Sequence, residues 1–239
     1  MAVFVLVHGS FLASWCWRDV APRLEARGHQ ALAFDLPGHG TDSTPVDRVS
    51  FQDYVDAIRR VVDGLNERPI LVEHSMCTPI ACAVEAEPDS VAALVFLAGL
   101  LPRNGSSLLD AAADFDPAYL AHAIWSDQPR SVGLSPAGAR EFLLSDVSPD
   151  VVDQVLPLLT AEPLAPYEGP FTTTDERFGR VRRYYIETRC DRVVLPAIQR
   201  ATQARMTFER VFSLDAGHCA FFSRPNELVS CLDCVAQAI

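Results

Sequence analysis

The chain has 239 residues, 49% hydrophobic and 21% charged, ordinary globular usage that excludes a disordered chain. Its net charge of −11 repels phosphate backbones and anionic lipid, which argues against nucleic-acid or membrane-surface binding, and no apolar run approaches the ~20 residues of a bilayer span. Met1-Ala2 leads straight into Val3-Phe4-Val5-Leu6-Val7, with no basic n-region or cleavage site, and seven cysteines are scattered without a disulfide framework. Reduced thiols in a cytoplasmic protein are the expectation.

Val3–Val7 is a continuous apolar run suited to a strand covered on both faces. From Trp15 to Arg27 the spacing of Trp17, Val20, Ala21 and Leu24 is helical and stops at Gly28. Ala31–Phe34 is the next strand, closed by the turn residues Asp35-Leu36-Pro37-Gly38-His39-Gly40. Phe51 to Leu65 reads as a helix with Ser50 as N-cap and Asp53 as its capping-box partner. Pro69–Val72 is a strand, Met76–Glu87 a helix and Val91–Leu97 a strand, an alternation that predicts a parallel sheet with right-handed crossovers. Between Pro102 and Pro170 the pattern breaks into short amphipathic pieces rich in proline, with no convincing strand. Strand character returns at Arg183–Thr188 and Arg210–Leu214, each followed by a helical stretch. The expected layout is a sheet core of residues 1–102 and 179–239, interrupted by a helical cap over 103–178.

The join Leu71-Val72-Glu73-His74-Ser75-Met76-Cys77 runs a strand into a helix with serine at the turn. There a serine hydroxyl stands above the sheet edge, and the amide of the next residue, Met76, can face a developing oxyanion. A serine hydroxyl needs an imidazole to take its proton. Leu214-Asp215-Ala216-Gly217-His218 ends the last strand and offers His218. Asp191, just past the preceding strand, is placed to orient it. The order Ser75, Asp191, His218 is that of one triad solution. At the end of the first strand, Gly9 allows close backbone approach and Ser10 offers a second amide for the oxyanion. His8 is read as a buried imidazole bonded to loop backbone.

These segments resemble α/β-hydrolase fold enzymes, more narrowly the esterase and hydroxynitrile lyase group that includes plant methyl esterases. The likeness rests on Leu6-Val7-His8-Gly9-Ser10, Trp15-x-Trp17, Leu24-Glu25-Ala26-Arg27-Gly28-His29 and Asp35-Leu36-Pro37-Gly38-His39-Gly40. It resumes at Ser75, at Asp191 with Ile198-Gln199, and at Gly217-His218 with Ser223-x-Pro225-x-Glu227-Leu228. The resemblance implies a triad of Ser75, Asp191 and His218, with oxyanion amides from Ser10 and Met76. It also separates activities: lyases of the group carry threonine where this chain has Gly9 and lysine where it has Cys219, so the esterase side is favoured.

The elbow departs from the group's Gly-x-Ser-x-Gly pattern, reading Glu73-His74-Ser75-Met76-Cys77. An unpaired buried charge at Glu73 would cost several kcal/mol, so Glu73 must reach solvent, be protonated or find a polar partner. The expected function is a serine carboxylesterase acting on a small, largely apolar ester, such as a methyl or acetyl ester of a secondary metabolite, without cofactor or metal. Gly9, Phe11, Glu73, His74, Trp125 and Cys219 are candidate pocket residues. A lyase or cyclase using Ser75 and His218 as a proton shuttle, and a non-catalytic ligand-binding homologue, are the alternatives. Cys231-x-x-Cys234 is read as a pair of packing cysteines on the last helix. Oligomeric state is not legible.

Overall fold

A computed structural model describes all residues, Met1–Ile239. Strands β1 (Val3–Val7), β2 (Gln30–Ala33), β3 (Ile70–Met76), β4 (Ala93–Leu100), β8 (Arg183–Thr188) and β9 (Arg210–Leu214) form one parallel sheet in the order β2-β1-β3-β4-β8-β9. The apolar strands β1, β3 and β4 lie inside it and are buried along their whole length, while β2 and β9 form the edges and alternate in exposure. That contrast follows from helices covering both faces of a parallel sheet.

The helix Phe51–Asp63 begins at the predicted capping box: Ser50 Oγ accepts from the Asp53 amide at 3.3 Å and Asp53 Oδ2 accepts from the Ser50 amide at 2.8 Å. Helices Thr78–Ala86, Pro196–Gln203 and Pro225–Ala236 complete the set after β3, β8 and β9. The parallel sheet is the one expected of an α/β-hydrolase fold: every strand points the same way, so the loops after β1, β3, β8 and β9 share one edge. His8, Ser75, Asp191 and His218 all sit there.

The chain leaves the sheet after Leu100 and returns at Arg183. Short helices occur in this excursion, the segment expected to form a cap, at Leu108–Ala111, Pro117–Leu120, Pro149–Val155 and Ala165–Glu168. It also holds an antiparallel sheet that the sequence reading did not contain: β5 (Ala123–Asp127), β6 (Arg130–Leu134) and β7 (Glu162–Pro163). The hairpin strands are five residues each and the third strand two, too short for an alternating pattern to stand out among the prolines.

Candidate active site

Ser75 takes φ 65°, a left-handed conformation rare for a residue with a side chain. The strain comes with the strand–helix turn, where β3 shifts register against β4 between His74 and Met76. Its neighbours show why the unusual elbow can close. A Cβ on Gly9 would lie 2.7 Å from His74 Nδ1 and 2.8 Å from the His74 carbonyl oxygen, so only glycine lets the β1 loop pass the elbow. Cys77, where the related pattern has glycine, is accommodated from the opposite side. A Cβ on Gly99 would lie 2.9 Å from Cys77 Sγ, and the missing side chain on β4 makes room for the thiol.

Glu73 is fully buried and points away from the reaction cavity, beneath the helix that follows the serine. Its Oε2 accepts from the Ile80 amide in that helix's first turn at 3.4 Å, and its Oε1 has no hydrogen-bond partner. Burial pushes the carboxyl well above its usual range, although the Ile80 amide works the other way. Burial therefore favours the protonated, uncharged form of Glu73, and the elbow backbone meets it with a single amide.

His218 Nδ1 lies 2.8 Å from Asp191 Oδ2, and both side chains are buried. With a carboxylate as acceptor, the proton sits on Nδ1 and leaves Nε2 free. Asp191 is itself fixed: Oδ1 accepts from the Val193 and Val194 amides at 2.8 and 3.0 Å, and Oδ2 from the Thr188 hydroxyl at 2.8 Å. Gln199 Nε2 donates to the same carboxylate at 3.2 Å and to the Val194 carbonyl at 2.7 Å, tying the following helix to the loop. Adjacent pairing of β8 with β9 brings Asp191 to His218.

Ser75 and His218 line one cavity of about 50 Å³ together with Ser10, Met76 and Phe11. Its remaining walls come from the cap and neighbouring loops, among them Leu108, Phe115, Tyr119, Leu143 and Tyr167, and ten of its thirteen lining residues are hydrophobic. A wider surface groove of about 820 Å³ lies along Arg103, Arg183 and Arg205; it contains neither Ser75 nor His218, so its size gives it no claim on this chemistry. No group of three or more His, Cys, Asp or Glu side chains is arranged to hold a metal ion.

The candidate pocket residues divide. Phe11 lines the cavity, also at φ 65°, and Gly9 packs against the elbow. Trp125, expected as a wall, is 57% exposed on β5, because the cap hairpin turns it outward. Cys219 is buried and absent from the lining, with its thiol pushed well above its usual pKa by burial. His74 stands behind the cavity: its ring lies 4.4 Å from that of His218 and edge-on to Phe221 at 4.9 Å. Burial and the nearby His218 hold His74 well below the ordinary histidine pKa. His8 is buried as read, with Nδ1 on the Gly9 carbonyl at 2.9 Å and Nε2 accepting from the Leu36 amide at 3.1 Å. Burial and the neighbouring His39 lower its pKa to about 4.

The sequence reading missed the cap's polar contribution. Glu162 on β7 is completely buried; its Oε1 accepts from the Tyr54 hydroxyl at 2.9 Å and lies 3.5 Å from His39 Nε2. Desolvation is the largest effect on each and opposes both charges, but Glu162 together with the Leu12 carbonyl and Asp35 raises His39, and His39 with the Phe11 amide and the Tyr54 hydroxyl lowers Glu162. Tyr167 and Ser10 share a hydroxyl–hydroxyl hydrogen bond at the cavity wall. Of these residues only Ser10, at the end of the first strand, and His39, in the turn after β2, had a sequence signal.

A strained serine at a strand–helix elbow, with an Asp-held histidine on the adjacent strand ends, defines an enzyme of the α/β-hydrolase class. Comparison with known proteins agrees. Residues 4–230 match the model of the alpha/beta hydrolase family, and the chain belongs to that family. Methylesterase 7 of Arabidopsis thaliana is 30% identical over 257 residues, covering 96% of this chain and 94% of its own. Salicylic acid-binding protein 2 of Nicotiana tabacum is 29% identical, covering 96% and 95%. Among solved structures, polyneuridine aldehyde esterase superposes with a TM-score of 0.90 at 23% identity, over 99% of both chains. With these relatives the chain is an α/β-hydrolase-fold esterase. No helix is long and apolar enough to cross a membrane.

Proposed function

We propose that this chain is a serine carboxylesterase acting through an acyl-enzyme on Ser75. The observation that carries the reading is the shared cavity: Ser75, at a left-handed elbow, opens onto the same space as His218, whose Nδ1 is held by Asp191 at 2.8 Å. In this reading His218 Nε2 takes the Ser75 proton as Oγ attacks the ester carbonyl. The amides of Ser10 and Met76 receive the oxyanion. His218 then protonates the leaving alcohol, activates water against the acyl-enzyme and returns the proton to Ser75. Asp191 keeps the imidazole in the tautomer that makes this possible.

The cavity supports a small, largely apolar acyl or aryl group, as its walls are mostly hydrophobic and its volume is about 50 Å³. A methyl or acetyl ester of a neutral secondary metabolite fits that chemistry, and the methylesterases among the relatives favour a short alcohol portion. The protein would work as a soluble enzyme of the cytoplasm without cofactor, with residues 103–178 closing the pocket as a cap.

A lyase or cyclase on the same scaffold would draw on the altered elbow, but Glu73 faces away from the cavity. Tomato methylketone synthase I shares the fold with a TM-score of 0.87 at 20% identity, which speaks to scaffold alone. A ligand-binding homologue without catalysis is opposed by all three triad positions being present.

The test is hydrolysis of p-nitrophenyl acetate and labelling by a fluorophosphonate. The parent should turn over the ester and take the label on Ser75, and Ser75→Ala should do neither. Turnover undiminished in Ser75→Ala would end the reading. Turnover without incorporation of solvent oxygen into product would favour the lyase.

A further inference from the structure

The loop after β1 is held from the cap at three points. Phe11 donates its amide to Glu162 Oε2 at 3.0 Å, and its carbonyl accepts from the Thr160 amide at 3.0 Å. One residue earlier, Ser10 Oγ bonds the Tyr167 hydroxyl. Phe11 needs this support, because its φ of 65° is a conformation that a phenylalanine rarely keeps unaided. Glu162 is in turn fixed by the Tyr54 hydroxyl from the helix Phe51–Asp63 and by His39 from the turn after β2.

A buried carboxylate in ion-pair contact with a histidine is an expensive way to join a cap to a core, and apolar packing would serve stability as well. What a carboxylate supplies and an apolar side chain cannot is a directed acceptor for one backbone amide. That amide belongs to the residue next to Ser10.

We propose that Glu162 is a positioning residue of the active site, a cap-borne carboxylate that sets the Ser10–Phe11 backbone and with it the geometry of the oxyanion hole. The inference rests on the serine esterase reading, in which the Ser10 amide binds the oxyanion. Glu162 touches no substrate; it acts through the Phe11 amide. Two consequences follow. The cap, besides walling the pocket, completes the catalytic geometry when it is seated. Loss of the carboxylate should weaken binding of the transition state while leaving ground-state binding alone.

The experiment compares Glu162→Ala, Glu162→Gln and Glu162→Met with the parent in p-nitrophenyl acetate hydrolysis, and in inhibition by a small alkyl trifluoromethyl ketone, whose hemiketal oxyanion occupies the same hole. Glu162→Ala and Glu162→Met should lose about 10- to 100-fold in kcat with KM changed less than threefold, within what loss of an oxyanion donor produces. Their Ki for the ketone should rise in step with the loss in kcat. Glu162→Gln keeps an acceptor for Phe11 and should recover kcat to within about fivefold of the parent. If Glu162→Ala does not fold, the isosteric Gln and the volume-filling Met decide. Equal kcat in Gln and Met, or Ki unchanged while kcat falls, would overturn the proposal and leave the esterase reading standing, provided Ser75→Ala is inactive in the same assay. A parent protein that neither hydrolyses the ester nor takes a fluorophosphonate on Ser75 would sink both.

Discussion

The Nε2–H of His74 donates to the carbonyl oxygen of His218 across 3.0 Å, joining the residue before the nucleophile to the backbone of the base. Its other nitrogen, Nδ1, is buried without a partner, and the low pKa keeps the ring neutral. His74 therefore spaces the elbow from the histidine loop by a hydrogen bond as well as by ring packing. Replacing the imidazole with a ring of similar size should separate the two effects. His74→Phe should lose about tenfold in kcat while stability changes by about 1 kcal/mol, the net worth of one hydrogen bond. His74→Ala should also leave a cavity beside Phe221 and cost about 3 kcal/mol. Urea unfolding and p-nitrophenyl acetate kinetics check both; a His74→Phe variant with parental kcat would show that packing alone suffices.

Asp191 divides its two oxygens between two tasks. Oδ1 receives the Val193 and Val194 amides, and Oδ2 receives His218 Nδ1 and the Thr188 hydroxyl. In Asp191→Asn the amide oxygen will keep the two backbone donors, which turns its NH2 toward His218. The imidazole must then accept at Nδ1 and carry its proton on Nε2, where it cannot take the Ser75 proton. A fall in kcat of about 10⁴ is expected with the fold intact. Circular dichroism and steady-state kinetics measure it, and a loss below tenfold would remove Asp191 from the triad.

Asp191 and Glu162 show what a sequence discloses and what it withholds. Ser75, Asp191 and His218 sit at strand ends, and strand ends are legible because apolar runs and turn residues mark them. Parallel pairing of β8 with β9 then puts Asp191 beside His218 without further information. Glu162 carries no such mark. It lies on a two-residue strand in a proline-rich stretch, and its partners Phe11, Tyr54 and His39 are more than 100 residues away along the chain. Trp125 misled for the related reason that a short hairpin strand has two faces and the pattern did not say which one turns outward. The elbow lies between these cases. Its missing glycines were visible, but the compensation at Gly99 sits on the neighbouring strand and depends on register.

Gly9 is where β1's loop passes closest to the elbow. A Cβ there would stand 2.7 Å from His74 Nδ1 and 3.0 Å from Ser75 Cβ, and the neighbours are backbone and a ring held on both sides. Gly9→Ala should destabilise the protein by about 1–3 kcal/mol as an overpacked core position. It should also displace Ser75, slowing its labelling by a fluorophosphonate at least tenfold. Thermal unfolding and labelling rates report the two effects. A Gly9→Ala protein that labels as fast as the parent would mean that the elbow yields elsewhere. The same crowding bears on lyase chemistry: the threonine that lyases of the related group place here has no room while His74 keeps its position.

Glu73 gives a prediction in which pH carries the sign. Its folded-state pKa is raised well above the ordinary 4.5 by burial, so the folded protein prefers the protonated acid while the unfolded chain ionises normally. The stability tied to that proton is fully present below pH 4.5 and is lost as pH rises from there through the raised folded value. Glu73→Gln has no such titration, and its amide oxygen can still accept from the Ile80 amide, as Glu73 Oε2 does at 3.4 Å. The Tm difference in favour of Glu73→Gln should therefore be smallest near pH 4.5 and widen as pH rises toward the raised folded value. Because Glu73 lies outside the cavity, kcat for p-nitrophenyl acetate at pH 7 should stay within about twofold of the parent. Scanning calorimetry at pH 5, 6, 7 and 8 measures the widening. A constant difference would mean that Glu73 is ionised in the folded state at all these values, which a carboxyl with one free oxygen and no cation beside it cannot sustain.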